Sequence, residues 1–334
     1  MINLWRTKKI IQVFRPFIDT DRVLKELKLI FDSGWIGLGP KTKEFENKLS
    51  QYIGVKHFIA LNSATSGLHL AIKCLDLPKQ SKILTTSNTF ISTNHAILYE
   101  GHIPIFCDIE RFTGNLNADL IEKILIEDKE IKAIIVVHIG GYSCDMDKIN
   151  YLAKKYNISV IEDCAHAFGG EYNNKKIGNT DNICVWSFQA VKNLPIGDGG
   201  AISTNNTDLY VRLNKLRWLG INKDTISRSN LAKGKQSYNW EYDVEEVGFK
   251  YHSTDIASII GIRAMDALED QDPAAALRNC TFVSAGAMLF VSFFIIKVMG
   301  LPSGVFIALA VGCFAGIAIG LVTEYYTAGS PIVK

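Results

Sequence analysis

The sequence lacks an excess of charge of either sign. It carries 36 Lys and Arg against 34 Asp and Glu in 334 residues, a net +2. That balance excludes a nucleic-acid binder acting through bulk charge. It also lacks a cysteine framework. Cys74, Cys107, Cys144, Cys164, Cys184, Cys280 and Cys313 are odd in number and scattered, with no CxxC pair. Disulfide scaffolding and a zinc site are therefore not expected, and a reducing cytoplasm fits. Residues 1–15 interleave Arg6, Lys8, Lys9 and Arg15 with short apolar runs, so no signal peptide is expected there. There is no internal repeat and no low-complexity segment. With 48% hydrophobic and 21% charged residues, the chain is not disordered. Its length allows two or three domains.

Charge is missing locally as well. The mean hydropathy of +0.11 averages two unlike parts. After Pro273 the only charged residues are Arg278, Lys297, Glu324 and Lys334. Residues 281–296 and 298–323 carry none. A helix needs about 20 apolar residues to cross a bilayer. Residues 305–323 meet that length, and residues 281–299 come close, with Lys297 near their end. Gly300 to Gly304 reads as a tight turn. The tail is thus expected to form a two-helix transmembrane hairpin. The alternative is a helical hairpin buried in a soluble core. Gly312, Gly316 and Gly320 would suit close helix packing in lipid.

Before that tail the pattern alternates. Asp19 or Thr20 can cap a helix through Phe31, ended by Gly34, and a second helix spans about Lys41 to Tyr52 before Gly54. Short apolar runs follow at 58–61, 82–84, 103–106, 133–137, 159–161, 184–188 and 201–203. Helical stretches at 68–75, 93–99, 116–125 and 146–156 separate the first five. Continuous apolar strands alternating with helices predict an α/β fold, with a mostly parallel sheet buried on both faces.

Ligands in such sheets bind beyond the carboxyl ends of the strands. Polar residues follow apolar runs at Asn62–Gly67, His138–Gly141, Glu162–His166 and Ser187–Gly200. The first segment is either a plain capped turn or a phosphate cradle of backbone N–H groups. Asp163 could cap a helix, ligate a metal or anchor a cofactor. His166 reads as structural when taken alone. Lys192 is either solvent-exposed or, among apolar neighbours, an amine nucleophile or base with a lowered pKa.

Together these segments resemble the DegT/DnrJ/StrS-type sugar aminotransferases, which use pyridoxal phosphate (PLP). The matching residues are Ser33-Gly34-Trp35-Ile36-Gly37-Leu38-Gly39-Pro40, Phe45-Glu46, Asn62-Ser63-Ala64-Thr65, Asn88-Thr89-Phe90, His138-Ile139-Gly140-Gly141, Glu162-Asp163-Cys164-Ala165-His166-Ala167, Ser187 through Gly200, Gly248-Phe249-Lys250-Tyr251-His252 and Asp255-Ile256-Ala257. They cover residues 10–264. The resemblance implies a type I aminotransferase large domain, a three-layer α/β/α sandwich, over residues 1–264. It implies that Lys192 links covalently to the PLP aldehyde and moves the proton at the substrate α-carbon. Asp163 would pair with the pyridine nitrogen and Phe90 would stack on the ring. Ser187 and the Ala64–Thr65 backbone would hold the phosphate, with His166 beside the phenolic oxygen. The implied reaction moves an amino group, from a donor such as glutamate, to a keto group on a nucleotide-linked sugar, in a homodimer. Lys192 favours transamination over the family's dehydratase branch, which carries His there.

Two departures from the family pattern are mild: Ala64 stands where Gly is usual, and Lys250 stands where many members have Asn. A third is large. The pattern stops near Ala264, and the family's small C-terminal domain is expected to be missing. Residues 265–334 form the apolar tail instead. Within it, residues 272–328 resemble a stretch of the membrane-bound ion-translocating pyrophosphatases, without their Asp-rich motifs. The resulting expectation is a cytoplasmic catalytic domain associated with membrane through residues 281–323. The rival expectations are a catalytically impaired chimeric chain and a fragment of a membrane pyrophosphatase.

Overall fold

A computed structural model describes residues 16, 18–222, 242–269 and 273–324. The chain divides into two compact units, residues 1–265 and 266–334.

The first unit opens with α1 (Thr20–Ser33) and α2 (Pro40–Ile53). Asp19 caps α1 through the Arg22 N–H, and Gly34 and Gly54 end the two helices at positive φ. Seven strands then form one sheet in the order β1-β9-β8-β5-β4-β2-β3. They are β1 (His57–Leu61), β2 (Lys82–Thr85), β3 (Ile103–Phe106), β4 (Ile131–Val137), β5 (Ser159–Asp163), β8 (Ile183–Ser187) and β9 (Gly200–Thr204). β9 pairs antiparallel with both β1 and β8, while the remaining pairs are parallel. The seven apolar runs each become one of these strands. A separate two-stranded hairpin, β6 (Glu171–Tyr172) and β7 (Lys175–Lys176), has no apolar run behind it. Its turn residues Asn173 and Asn174 sit at φ of 50° and 60°, as a primed hairpin turn requires.

Alternation along β4 shows why the sheet needs cover on both faces. Ala133 and Ile135 join a core with Ile59, Leu68, Ile97, Ile161 and Leu213, under α3 (Ala64–Lys73), α4 (Ser92–Tyr99) and α7 (Thr207–Leu216). Ile134 and Val136 join a second core with Ile121, Leu125, Ile149 and Leu152, under α5 (Ala118–Glu127) and α6 (Met146–Tyr156). The result is the expected three-layer sandwich. Two helices start elsewhere than their apolar pattern suggests, because small polar residues begin or cap them. Ser63 caps α3 through the Ser66 N–H, and Asn117 caps α5. α2 is tied to the sheet by a buried ion pair. Glu46 accepts from Arg217 Nη1 and from the Ala60 N–H, and Arg217 also donates to Ala60 O. Asp255, opening α8 (Asp255–Glu269), accepts from Gly39, Lys41 and Thr42 N–H groups.

The second unit contains α9 (Pro273–Val298) and α10 (Ser303–Glu324). The turn between them is tight, with Gly300 at φ +65°. The helices meet edge-on at Phe293 and Phe306, with ring centroids 5.4 Å apart. The 18 residues Thr281–Val298 have a mean hydropathy of 2.0, and 6% of them are buried. Among the described residues, one helix is therefore long and apolar enough to span a bilayer, and its apolar side chains are mostly exposed. The described apolar part of α10, Ser303–Ala318, is shorter. Nothing lies within 4 Å of a Cβ placed on Gly312 or Gly316. The surroundings of Gly320, and Tyr325 and Tyr326, lie outside the described residues.

Candidate active site

The parallel strands β4, β5 and β8 deliver polar residues to one edge of the sheet, and β9 starts there. Asp163 is the last residue of β5, buried, with its carboxylate facing inward. Its Oδ2 accepts from the Thr93 hydroxyl at 2.7 Å and its Oδ1 from the Ala165 N–H at 3.1 Å. No helix follows in residues 164–170, so Asp163 makes a local turn and is not a helix cap. Burial pushes its pKa up, while the Thr93 hydroxyl, the Ala165 N–H and the nearby His166 and His138 pull it down.

Lys192 sits at the tip of the loop between β8 and β9. That loop folds back on itself through Phe188 N to Gly199 O, Ile196 N to Phe188 O and Ala190 N to Gly197 O bonds. Leu194 and Ile196 bury beneath it and hold the tip. Gly197 takes a φ of +95°, which a side chain would resist. Partial burial pulls the Lys192 pKa below the ordinary lysine value, opposed by the charge of Asp163. His166 is held low by burial and by the charge of Lys192, again opposed by Asp163. The three groups thus share one electrostatic environment. His166 is oriented by the Gly140 N–H, which donates to its Nδ1 at 3.3 Å.

A second cluster stands beside them. Ser187 ends β8 and pairs with Gly200 across the ladder. A Cβ on Gly200 would lie 2.4 Å from Ala64 N, so only glycine lets β9 approach the first turn of α3 this closely. Ala64 and Thr65 open α3, where helix N–H groups lack intrahelical partners and favour an anion. Thr65 Oγ1 lies 2.8 Å from Ser92 Oγ. Ser92 follows the turn that presents Phe90, whose ring is 71% exposed.

All seven residues singled out from sequence therefore lie along one connected path: Lys192, His166, Asp163, Phe90, Thr65, Ala64 and Ser187. Sequence reasoning missed Ser92, Thr93 and the reason for Gly200. Their only signal was hydroxyl residues spaced around Phe90 and a glycine pair before a strand.

The arrangement fits PLP. The two hydrogen-bond donors to the buried Asp163 are neutral, so its charge is left for a cationic nitrogen. Glycine-lined N–H groups and Ser187 suit a phosphate, and a half-buried amine with a lowered pKa suits an aldehyde. Among the described residues, buried His138, Glu162 and Cys164 also cluster within 4.8 Å. The polar atoms of His138 and Glu162 are already committed. Glu162 accepts from Thr180 and Asn182 and bonds His138 Nε2, and the Cys144 N–H donates to His138 Nδ1.

Comparison with known proteins agrees with this reading. The family model for the DegT/DnrJ/EryC1/StrS aminotransferases matches residues 18–274. The UDP-4-amino-4,6-dideoxy-N-acetyl-beta-L-altrosamine transaminase of Campylobacter jejuni is 39% identical over 75% of this chain and 62% of its own length. The chain matches less than two thirds of the length of this and the other foremost curated relatives. The crystal structure of AtS13 from Actinomadura melliaura superposes with a TM-score of 0.70 at 32% identity, covering 88% of this chain and 74% of that one. The PLP form of the sugar aminotransferase Spr1654 from Streptococcus pneumoniae gives 0.69 at 27% identity, over 83% and 71%. The chain belongs to the DegT/DnrJ/EryC1/StrS aminotransferase family, whose members depend on PLP.

Proposed function

We propose that the first unit moves an amino group from an amino acid, glutamate foremost, to a keto group on a nucleotide-linked sugar. The observation that carries this is the buried Asp163, with neutral donors only, sharing its surroundings with the half-buried Lys192. PLP, when bound, supplies an electron sink that makes the donor's α-hydrogen acidic. Lys192 would hold the cofactor through its amine and carry that hydrogen as a proton. Asp163 would pair with the pyridine nitrogen and keep it protonated. Phe90 would cover a ring face, and His166 would lie by the phenolic oxygen. Ser187 and the Ala64 and Thr65 N–H groups would hold the phosphate. The sugar substrate draws support from relatives whose names specify UDP-linked amino sugars.

A second copy of the chain is part of the proposal. Phe90, Ile91, Leu98, Phe106 and Phe112 are large apolar side chains exposed on the first unit, and burying them favours a homodimer. The hairpin is proposed to enter the bilayer, on the evidence of the apolar, exposed Thr281–Val298, with the first unit in the cytoplasm. A second reading is binding of PLP without turnover. The test is spectroscopic. The full chain with PLP should show a visible absorbance band that glutamate removes and a keto sugar nucleotide restores. A band that glutamate leaves unchanged favours the second reading, and no band at all contradicts both.

A further inference from the structure

The turn from Thr89 to Thr93 touches the candidate site at three points. It displays Phe90, its Ser92 hydroxyl meets Thr65, and its Thr93 hydroxyl meets Asp163. Thr93 is fully buried, and its Oγ1 lies 2.8 Å from the Thr89 hydroxyl. A hydroxyl has a single hydrogen, and an ionised carboxylate has none. With Asp163 ionised, the Thr93 hydrogen points to Asp163, so the Thr89 hydrogen must point to Thr93. Each bond polarises the next. With Asp163 protonated, the chain is free to reverse. The direction of the two hydroxyls is thus tied to the charge on Asp163. Other titratable groups acting on Asp163 are His166 after β5 and His138 after β4, and Lys192 after β8 feels it in turn. Thr93 is the group that touches Oδ2.

We propose that Thr93, polarised by Thr89, is a positioning residue that keeps Asp163 ionised and aimed. The inference rests on the PLP reading for its purpose, because an ionised Asp163 is what a pyridine nitrogen requires. It rests on the geometry alone for its chemistry. Thr93→Val keeps the shape and removes the hydroxyl, and Thr93→Ser keeps the hydroxyl.

The decisive measurement is the titration of Asp163 itself. The full chain, labelled with ¹³C at the aspartate carboxyl, is followed by NMR without added PLP, and Asp163→Asn identifies the resonance. Thr93→Val should raise the Asp163 midpoint by about one unit or more, a tenfold change in proton affinity. Thr93→Ser should restore it, and Thr89→Val should raise it less. With PLP added, Thr93→Val should lower kcat by about tenfold or more with little change in KM, while borohydride still fixes PLP on Lys192. An unchanged midpoint in folded Thr93→Val overturns the proposal. Should Thr93→Val not fold, an unchanged midpoint in Thr89→Val overturns it. Failure of PLP to attach to Lys192 in the unsubstituted chain would strike the PLP reading instead, and the carboxyl titration would still decide this one.

Discussion

Ile135 in β4 and Phe290 in α9 are both large and apolar. Ile135 is 0% exposed and Phe290 is 66% exposed. The contrast extends across the two units. In the first, apolar residues alternate with the geometry of sheet and helix and end in two cores, with polar groups saved for one edge of the sheet. In the second, the Thr281–Val298 stretch of α9 has a mean hydropathy of 2.0, and 6% of it is buried. A helix of that kind belongs in a protein core or in lipid, and within this chain Thr281–Val298 is not in a core. One rule, removal of apolar surface from water, is satisfied internally by the first unit and is left unsatisfied along Thr281–Val298, of which 6% is buried.

The largest effect that sharpens this contrast is expected at the buried ion pair of the first unit. Glu46→Gln leaves Arg217 without its counter-charge and should cost about 3–5 kcal/mol of that unit's stability, read by denaturant titration. Ile135→Ala opens a cavity in the first core and should cost about 2–5 kcal/mol. A cost below about 1 kcal/mol would show that the core around β4 is looser than its burial says.

Asp163 inverts the rule and should respond in the opposite sense. Its folded pKa is raised by burial. The stability it contributes is therefore full below the ordinary aspartate pKa and is lost as pH rises through the folded value. At neutral pH without PLP, Asp163→Asn should accordingly stabilise the chain. The gain should vanish in acid, while turnover with PLP falls by about a hundredfold or more. Equal stability curves across pH would show that Asp163 is better solvated than its burial implies.

The smallest effect on the first unit should come from the second. Phe290→Ala, or removal of residues 273–334, should shift its unfolding free energy by no more than about 0.5 kcal/mol. The same removal should move the chain from the membrane pellet to the supernatant after a carbonate wash. An intact chain that stays soluble after that wash would break the contrast.

Six of the seven strands were legible because buried strands read as unbroken apolar runs, and the edge strand β3, with Ile103 and Phe106 exposed, was legible from its apolar residues all the same. The reversed direction of β9 was not, since an apolar run such as 201–203 has no arrow in it. The β6–β7 hairpin was missed because Glu171, Tyr172, Lys175 and Lys176 are polar or exposed, and its Asn173-Asn174 turn was the sole cue. At the site, Lys192 and Asp163 were legible through the family motifs rather than through spacing, which left Asp163 equally readable as a helix cap. Thr93 was illegible because a threonine near a helix start looks like any other capping residue. Only the fold brings it to a carboxylate 70 residues away in sequence.

The central claim is that Lys192 is the amine that takes PLP. Borohydride reduction of the PLP-loaded full chain, followed by peptide mapping, tests it most directly. The account predicts the reduced adduct on Lys192 alone, and its disappearance in Lys192→Ala with the fold retained. An adduct on another lysine, or one that survives in Lys192→Ala, would contradict it.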